Sequence, residues 1–464
     1  MKRVVLIWTL LSCIGYGQSR KSLSVEEAIE IGLQQSKVLL ASSKTVDAAS
    51  ARASDVNTAL LPSLTFEGSY QRLSEVNPFE VVIPFSPAPV TLSPIVLDNY
   101  KLKLSLRQPV FTGFRLRSNA RAAEFAAQAA EYEHHSNRVG LILNIKNAYW
   151  MLYQTIQVKK FVDENVGLLE VHLKDTENLM NAGIATRNDL LKIEVQFSDA
   201  RLTQIDATHD VRVAIMNVNN VMGQPLDTEL RLTSQPGPTA RLLYESFDSL
   251  RDRRSKSRRP AGREKMSEDD SHIHSLVNKA LTARADLKSM EFRMKAGDAS
   301  VSAVKGNLWP QIFLAGNYYY SRPNPRILPT LDEFKGTWDV GVILQFDVWN
   351  WGATIHRTQQ ARAELNRTEY LYEQLRDNVS LEVTRSFLQV KRSREKIEVA
   401  RLAITRAEEN ARSTNEKYKN ALATSSDLLD ADVALLQTRT NLTGALVEFE
   451  LAQARLDKAI GGEK

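Results

Sequence analysis

Apolar and polar side chains alternate one by one in four segments of the chain. In the second segment, Leu102, Leu104 and Leu106 alternate with lysines, a serine and an arginine. Successive side chains of a strand point to opposite faces, so this period predicts strands with one apolar, aromatic-rich face and one polar face. The four predicted strands cover residues 63–73, 99–110, 311–321 and 337–349.

Two long stretches are free of proline and rich in Ala, Leu, Glu, Gln, Lys and Arg. All 15 prolines lie outside residues 110–224 and 330–464. This composition predicts helices, and residues 115–180 alone would extend roughly 100 Å at 1.5 Å per residue. Helices of that length need lateral partners, and the alanines between residues 120 and 130 suit close packing against neighbouring helices. Helical hairpins are predicted at residues 113–223 and 352–461.

The chain contains one structural unit twice. From residue 110 onward, the two copies are related by a constant offset of 238 positions, which aligns Asp189 with Asp427 and Gly223 with Gly461. We therefore predict a first repeat at residues 18–232, a linker or equatorial segment at 233–272 and a second repeat at 273–464. A long duplication of strand, strand and helical hairpin excludes most enzyme folds.

The N-terminus has the layout of a secretory signal peptide. Lys2 and Arg3 precede an apolar run, and cleavage after Gly17 makes residues 1–17 the predicted signal peptide. A minority reading treats the Leu-Leu-Ser-Cys sequence as a loose lipobox, with lipidation at Cys13. Cys13 is the only cysteine, so cleavage after Gly17 would exclude disulfides, thiolate metal sites and a cysteine nucleophile.

The charge balance and hydropathy indicate how the mature chain could meet a membrane. The net charge is +5 with acidic and basic residues intermixed, which does not indicate a nucleic-acid partner. No run of about 18 apolar residues follows the signal peptide, whereas each predicted strand has the roughly ten residues that a tilted membrane strand needs. A soluble half-buried sheet is the alternative. Lys101, Lys103 and Arg107 share the polar side of one strand and favour a water-filled lumen.

Four strands cannot close a membrane barrel, because the smallest barrels use about eight and an open edge cannot lie in lipid. The chain is therefore predicted to oligomerise, with two copies giving eight strands and three giving twelve. The residues leave this choice open. The proline-rich segments 74–98 and 321–337 are predicted external loops, and the basic run inside the linker is predicted to be a solvated connector rather than an anion site.

The turns of the two helical hairpins have matching sequences, NAGIATRNDLL at 181–191 and KNALATSSDLL at 419–429. Gly183 is predicted to end a helix, and Thr186 with Asp189 and Thr424 with Asp427 are predicted capping boxes. Capping alone would account for both aspartates. Asp430 follows Asp427 by three residues on the same helix face, so a symmetric oligomer would carry a ring of paired carboxylates that favours cations.

Taken in order, these features resemble the TolC family of outer-membrane efflux proteins over nearly the whole mature chain. The resemblance rests on the tandem repeats, LLPSL and LWPQI at strand starts, QPVFTG and FDVWNWG before the long helices, ADL at 285–287 and the paired tips. It implies an α+β membrane protein that forms a homotrimer, with one twelve-stranded barrel in the outer membrane of a Gram-negative bacterium and a periplasmic α-helical barrel. The implied partners are outer-membrane lipid, a periplasmic adaptor and an inner-membrane RND or ABC transporter.

The resemblance also implies roles for individual residues. Asp427 and Asp430 match the family's periplasmic aperture, and Asp189 and Tyr418 match the network that holds the aperture shut. Ala421 and Ala423 depart from the glycine and arginine of some members, which puts the closed-state bonding in question. Positions that match adaptor-docking tips are Gly183, Ala185, Thr186, Ala423 and Thr424.

The leading functional prediction is a passive export channel without a catalytic centre or cofactor. The alternative is a periplasmic scaffold of helical hairpins without a pore. An enzyme or metal site has little support, because His134 and His135 are adjacent on a helix and His272 and His274 lie in the predicted linker. The cargo, whether drug, metal ion or protein, is not encoded in these patterns.

Overall fold

The structure, a computed structural model, describes residues 21–77, 79–81, 84, 90–93, 95–237, 268–420 and 422–462. The chain divides into two compact units, the first built from Met1–Ser42, His135–Arg284 and Asp377–Lys464 and the second from Ser43–His134 and Ala285–Arg376. The predicted signal peptide, Cys13, Ala421 and the basic run of the linker lie outside the described residues.

Short strands and long helices alternate along the chain. The strands are β1 (Lys21–Leu23), β2 (Ser63–Arg72), β3 (Phe79–Val81), β4 (Val90–Ser93), β5 (Asp98–Phe111), β6 (Leu230–Leu232), β7 (Gln311–Arg322) and β8 (Lys335–Gln345). The helices are α1 (Val25–Gln35), α2 (Lys37–Thr58), α3 (Arg115–Asn181), α4 (Arg187–Met222), α5 (Glu268–Ala283), α6 (Ala285–Lys305), α7 (Ala353–Lys419) and α8 (Ser425–Ala459). None of these described helices combines the length and the apolar character needed to cross a membrane.

The second unit contains a four-stranded antiparallel sheet in the order β2-β5-β7-β8. The register runs straight across it, since Glu67 is paired with Lys103, Lys103 with Tyr319 and Tyr319 with Thr337. The sheet therefore joins two strands from each repeat, with β2 and β8 at its edges. The strand β8 ends at Gln345, opposite Gln311 at the start of β7, so the predicted strand at 337–349 is four residues too long at its end, and no strand in the described part of the chain pairs with residues 346–349.

Apart from the end of β5, where a bulge between Pro109 and Phe111 shifts the register, the even-numbered residues of these four strands lie on one face and the odd-numbered residues on the other. The even face, here called the apolar face, is exposed and aromatic, and Trp338 on it is 70% exposed. The odd face, here called the polar face, carries Lys101, Lys103, Ser105 and Arg107 on β5. The predicted separation of the two kinds of side chain is clear on β2 and β5, whereas the odd-numbered positions of β7 and β8 also include Phe313 and Ile343.

The change of direction from strand to long helix uses two consecutive left-handed residues in each repeat. Gly113 and Phe114 have φ of 58° and 65°, and the matching Trp351 and Gly352 have φ of 55° and 77°. Gly113 is required for space as well as for its φ, because a Cβ there would overlap the carbonyl oxygen of Gly306. Glycine and an aromatic residue have thus exchanged places between the repeats while the backbone turn is the same.

The core of the first unit surrounds Tyr149 on α3, which is fully buried with Leu23, Ile145 and Leu152. The Tyr149 hydroxyl donates to the carbonyl oxygen of Leu23 at 3.0 Å and accepts from the backbone N–H of Ser234 at 3.0 Å. This satisfies a polar atom that burial would otherwise leave unpaired. The parallel pair of β1 and β6 is thereby fixed against the long helix.

In the second unit the alanine-rich part of α3 packs against α6. Ala129 is buried, and its carbonyl oxygen accepts from the Ser289 hydroxyl at 2.8 Å. Tyr132 stacks on Phe292 with 5.4 Å between ring centroids. Small residues let the two backbones approach closely, which is the lateral packing that the alanines predicted.

The structure changes the predicted organisation in two places. Residues 268–272 belong to α5 rather than to the linker, so His272 and His274 lie on a helix, where the His272 ring contacts Phe387 at 5.5 Å between centroids. Helices α1, α2, α5 and α6, which precede the strand pairs, were not predicted. For α1 a signal was present, because Ser24 and Glu27 form a capping box.

Candidate functional site

The tip of the first hairpin connects α3 to α4 through residues 182–186. Gly183 has φ of 76°, and the backbone N–H groups of Gly183 and Ile184 donate to Met180 and Leu179, each at 2.9 Å, which closes the end of α3. The predicted capping box is present: the Thr186 hydroxyl accepts from the Asp189 N–H at 3.2 Å, and the Asp189 carboxylate accepts from the Thr186 N–H at 3.1 Å.

The tip of the second hairpin repeats this chemistry between α7 and α8. The Leu422 N–H donates to the Lys417 carbonyl oxygen at 2.8 Å. Thr424 and Asp427 form the second predicted capping box, with 3.2 Å from the Asp427 N–H to the Thr424 hydroxyl and 2.9 Å from the Thr424 N–H to the Asp427 carboxylate. The second helix of each hairpin therefore begins with the same kind of capping box.

The two tips contact each other through the start of α8. The Ser425 hydroxyl donates to the Asp189 carboxylate at 2.8 Å, and the Lys192 ammonium donates to the Ser426 hydroxyl at 3.3 Å. Hydrogen bonds from Thr186, and then from Ser425, lower the pKa of Asp189 below its ordinary value. Asp189 thus both caps α4 and bonds the neighbouring hairpin.

Asp427 and Asp430, the predicted aperture residues, are exposed at the start of α8. Hydrogen bonds from Thr424 lower the pKa of Asp427. Among the described residues Asp430 has no hydrogen-bond or ion-pair partner. The structure therefore places two carboxylates one helical turn apart facing solvent, while Asp189 is occupied by the other tip.

Tyr418, the other predicted closed-state residue, is buried near the end of α7, where its hydroxyl lies 2.6 Å from the Thr176 hydroxyl. The described residues include no hydrogen bond between Tyr418 and Asp189. Tyr418 thus joins α7 to α3, and Asp189 joins the first tip to the second. These are two separate contacts in the structure.

A second buried polar contact, which sequence reasoning missed, lies one turn of α3 away from Thr176. His172 Nε2 lies 3.0 Å from the Asp432 carboxylate, and the two side chains are 3% and 6% exposed. These residues are 260 positions apart, so no local motif marks the pair. It joins α3 to α8.

The tips also contain an apolar residue at matching positions that the sequence analysis did not select. Ile184 is 59% exposed and Leu422 is 77% exposed. Gly183, Thr186 and Thr424 beside them are exposed, and Ala185 and Ala423 are half-buried. The same offset that aligned the aspartates would have found both apolar residues, because each interrupts a polar turn.

No group of three or more histidine, cysteine, aspartate or glutamate side chains suited to a metal occurs in the part of the chain that the structure describes. His134 and His135 are adjacent on α3, with His134 the last residue of its segment of the second unit and His135 in the first, and His272 and His274 lie on α5 of the first unit. The structure thus assigns no shared site to the two histidine pairs.

The chain matches the family model described as outer membrane efflux protein over residues 28–224 and 276–462, one match for each repeat. The alkaline protease secretion protein AprF of Pseudomonas aeruginosa is 21% identical over 362 residues, which cover 77% of this chain and 69% of AprF. The outer membrane protein TolC of Escherichia coli is 20% identical over 475 residues, covering 99% of this chain and 87% of TolC. The CmeC outer membrane channel of Campylobacter jejuni has the same fold, with a TM-score of 0.75, 15% identity and coverage of 95% of this chain and 86% of CmeC.

These similarities define the class as outer-membrane channels for efflux or secretion. The chain belongs to the outer membrane efflux protein family, the TolC family, as its motifs indicated. It is located in the outer membrane of a Gram-negative bacterium and carries a periplasmic helical extension.

Proposed function

We propose that three copies of this chain form a passive export channel, the outer-membrane part of a tripartite efflux pump or a type I secretion system. The observation that carries the proposal is the sheet, which has an exposed apolar face and leaves both edge strands, β2 and β8, paired on one side only. In lipid, an open sheet edge would leave backbone N–H and C=O groups unsatisfied, so the edges must pair between copies.

The strand order supports closure of a barrel between copies. Each neighbouring pair in β2-β5-β7-β8 is antiparallel, so β2 and β8 run in opposite directions. The β8 edge of one copy can therefore continue antiparallel into the β2 edge of the next. Three four-stranded sheets supply twelve strands in this way, with the apolar face toward lipid and the polar face toward water.

The hairpin tips are proposed to form the periplasmic entrance. In a trimer, Asp427 and Asp430 form a ring of six carboxylates, which attracts cations into the entrance. Asp189 and Tyr418 hold neighbouring helices together in the closed form. Neither the aperture nor its closure requires a catalytic group, and the driving energy comes from the partners.

We propose that the tips dock a periplasmic adaptor, which connects the channel to an RND or ABC transporter in the inner membrane. Exposed apolar Ile184 and Leu422 add to the predicted docking positions, because burying an apolar side chain against a partner is favourable. The docking positions are Gly183, Ala185, Thr186, Ala423 and Thr424. The name of AprF concerns protease secretion and the family description concerns efflux, so both kinds of cargo stay within the proposal.

Disulfide scanning between edge strands tests the proposal. Glu67→Cys on β2 is combined in turn with Thr337→Cys, Gly341→Cys and Ile343→Cys on β8, all on the polar face, in chains that otherwise lack cysteine after signal cleavage. We expect covalent dimers and trimers in outer-membrane extracts for the pair in register. Cysteines on Glu67 and Lys103, which are paired within one chain, are the control and should leave the chain monomeric on a reducing-agent-free gel.

The competing scaffold function predicts a different result. A purified chain that is monomeric and soluble without detergent, with no cross-link at any β8 position, would reject the channel. Planar bilayers give the second test, because the wild-type trimer should conduct ions. In the Asp427→Ala, Asp430→Ala variant we expect a higher conductance or a weaker preference for cations, and an unchanged channel would reduce both residues to helix-capping and surface roles.

A further inference from the structure

The polar face of the sheet carries more positive than negative charge. Lys101, Lys103 and Arg107 follow one another along β5 at every second or fourth position, so Lys101 and Arg107 are roughly 20 Å apart at 3.3 Å per residue. Lys103 lies 3.7 Å from the Glu67 carboxylate on β2. Among the described residues, no carboxylate lies within ion-pair distance of Lys101 or Arg107.

A further cation reaches the same face from the segment that joins β7 to β8. The Arg326 guanidinium donates to the Asp339 carboxylate at 2.7 Å and to the Trp338 carbonyl oxygen at 2.9 Å. The buried Asn324 fixes this segment by donating to the Lys335 carbonyl oxygen at 2.9 Å and by accepting from the Arg326 N–H at 3.0 Å. Part of the predicted external loop therefore folds onto the polar face instead of extending away from it.

Lys101 and Arg326 converge on one tyrosine. The Lys101 Nζ and the Arg326 Cζ lie 5.8 Å and 5.5 Å from the centroid of the Tyr319 ring. The three side chains border a cavity of about 370 Å³ at the loop end of the sheet. Its remaining lining is mainly neutral and rich in hydrogen-bonding groups, from Ser69, Gln71, Asn99, Ser321, Asn324 and Thr337.

The negative groups nearest to this cavity already have partners. Asp339 accepts from Asn317 at 2.8 Å as well as from Arg326, and Asn317 in turn accepts from the Ser105 hydroxyl at 2.9 Å. Asp339 is therefore hydrogen-bonded to neighbours on its own face. The positive charge of Lys101 is not compensated by a carboxylate of the described residues, so it can attract an anion from solution. A cation at the mouth of a pore attracts anions most strongly where protein walls exclude water.

From this geometry we infer that the external half of the polar face is a binding site for multivalent anions, such as phosphate-bearing or polycarboxylate solutes, centred on Lys101, Arg326 and Tyr319. The inference rests on the proposed function, because the polar face encloses a lumen only in the closed trimer. Threefold repetition then places three such sites around one water-filled path. A single multivalent anion would meet several cations at once, whereas chloride would gain little.

The channel would consequently have charge of opposite sign at its two ends. The periplasmic tips present Asp427 and Asp430, and the polar face of the sheet presents Lys101 and Arg107, which have no carboxylate within ion-pair distance among the described residues. An anionic solute that has passed the tips would be drawn onward by the second charged zone. Arg107 is a further cation on the same face, closer to the helical end of β5, and its guanidinium carbon lies 4.0 Å from the centroid of the Phe313 ring.

Block of single channels by inorganic triphosphate tests the site. The full-length mature trimer is inserted into planar bilayers in one orientation, and triphosphate is added first to the side of the β7–β8 segment and then to the side of the tips. We expect block at lower concentration from the first side. In Lys101→Gln, Arg326→Gln channels the half-blocking concentration from that side should rise about tenfold or more, because a trimer loses the six cations at the centre of the sites.

Arg72→Gln is the matched control, since Arg72 lies at the same end of the sheet on the apolar face, 3.3 Å from Asp98. It should leave block unchanged. Conducting channels that triphosphate does not block, or an equal loss of block in Arg72→Gln, would overturn the anion site and leave the export channel standing. A wild-type protein that forms no conducting channel would instead remove the proposed function on which the site rests.

Discussion

The hairpin tips of the two repeats share one cap and differ in what lies beside it. Thr186 with Asp189 and Thr424 with Asp427 make the same reciprocal hydrogen bonds, over a few residues of sequence. Only Asp189 also receives the Ser425 hydroxyl. The local caps are thus the same in both copies, whereas the longer-range contacts differ: the Asp189 carboxylate is bonded to the other hairpin, and the Asp427 carboxylate faces solvent.

The same contrast holds one and two turns further along the helices. His172 and Asp432 form a buried pair, but the matching residues of the other repeat, Asn410 and Glu194, are exposed. The Tyr418 hydroxyl contacts Thr176, whereas the position that matches Tyr418 is Met180. These polar contacts therefore join α3, the first helix of the first hairpin, to the two helices of the second hairpin, and the matching pairs of described residues form no equivalent contact.

The largest difference between the repeats is expected on removing the buried pair. His172→Ala should lower the free energy of unfolding by about 3 kcal/mol, because it leaves the Asp432 carboxylate buried without a partner. The matched substitution Asn410→Ala changes an exposed side chain and should cost less than about 0.5 kcal/mol. Guanidinium unfolding in detergent, followed by circular dichroism, measures both. Equal losses of unfolding free energy in the two variants would show that the buried pair contributes no more to stability than the exposed residue does.

The bond between the tips is the next largest effect. Ser425→Ala removes a hydrogen bond to a carboxylate, worth about 1.5 kcal/mol, so the equilibrium between closed and open channels should move about tenfold toward open. Arg187→Ala changes the matching residue of the first tip and should leave the open fraction as it was. Single-channel recording gives both open fractions. A closed Ser425→Ala channel would show that the closed form does not depend on this bond.

The caps themselves should behave alike. Thr186→Ala and Thr424→Ala each remove a side-chain acceptor at a helix start, at a cost of about 1 kcal/mol. Hydrogen exchange at the amides of Asp189 and Asp427 reports the fraying of each tip separately. A much larger effect at Thr186 than at Thr424 would mean that the contact with the second hairpin, and not the cap, holds the first tip.

The smallest effect is a dependence on pH. Because hydrogen bonds lower the pKa of Asp189 in the folded protein, its contribution to stability is fully present above the unfolded value near 3.9 and is lost as the pH falls through the lower folded value. The contact between the tips should therefore be constant from about pH 5 to 8 and weaken only in stronger acid. Asp189→Asn should remove this step from hydrogen-exchange curves of the first tip, and a step that persists would belong to another group.

Patterns repeated over short distances account for what the sequence could predict. The alternation around Leu102 located β5, which spans Asp98–Phe111, and the capping residues located both hairpin turns. The same alternation continues past the end of β8 at Gln345, so the predicted strand was too long. Alternation indicates which face each side chain prefers, and it does not indicate whether a neighbouring strand is present.

The long-range contacts between the two hairpins could not be predicted from these short patterns. Asp189 meets Ser425 across 236 positions, and His172 meets Asp432 across 260. Neither residue type nor spacing marks such pairs, since serine, histidine and aspartate are ordinary on an exposed helix. Only packing shows which of them are buried together.

The two longest helices, α3 and α7, each contain 67 residues. One residue added within either helix would rotate every later side chain by about 100° and advance it by about 1.5 Å. The tip of that hairpin would then turn away from its counterpart, and the burial pattern beyond the insertion would be scrambled. Natural lengthening or shortening of this periplasmic extension should therefore occur in steps of about seven residues, made in both repeats together.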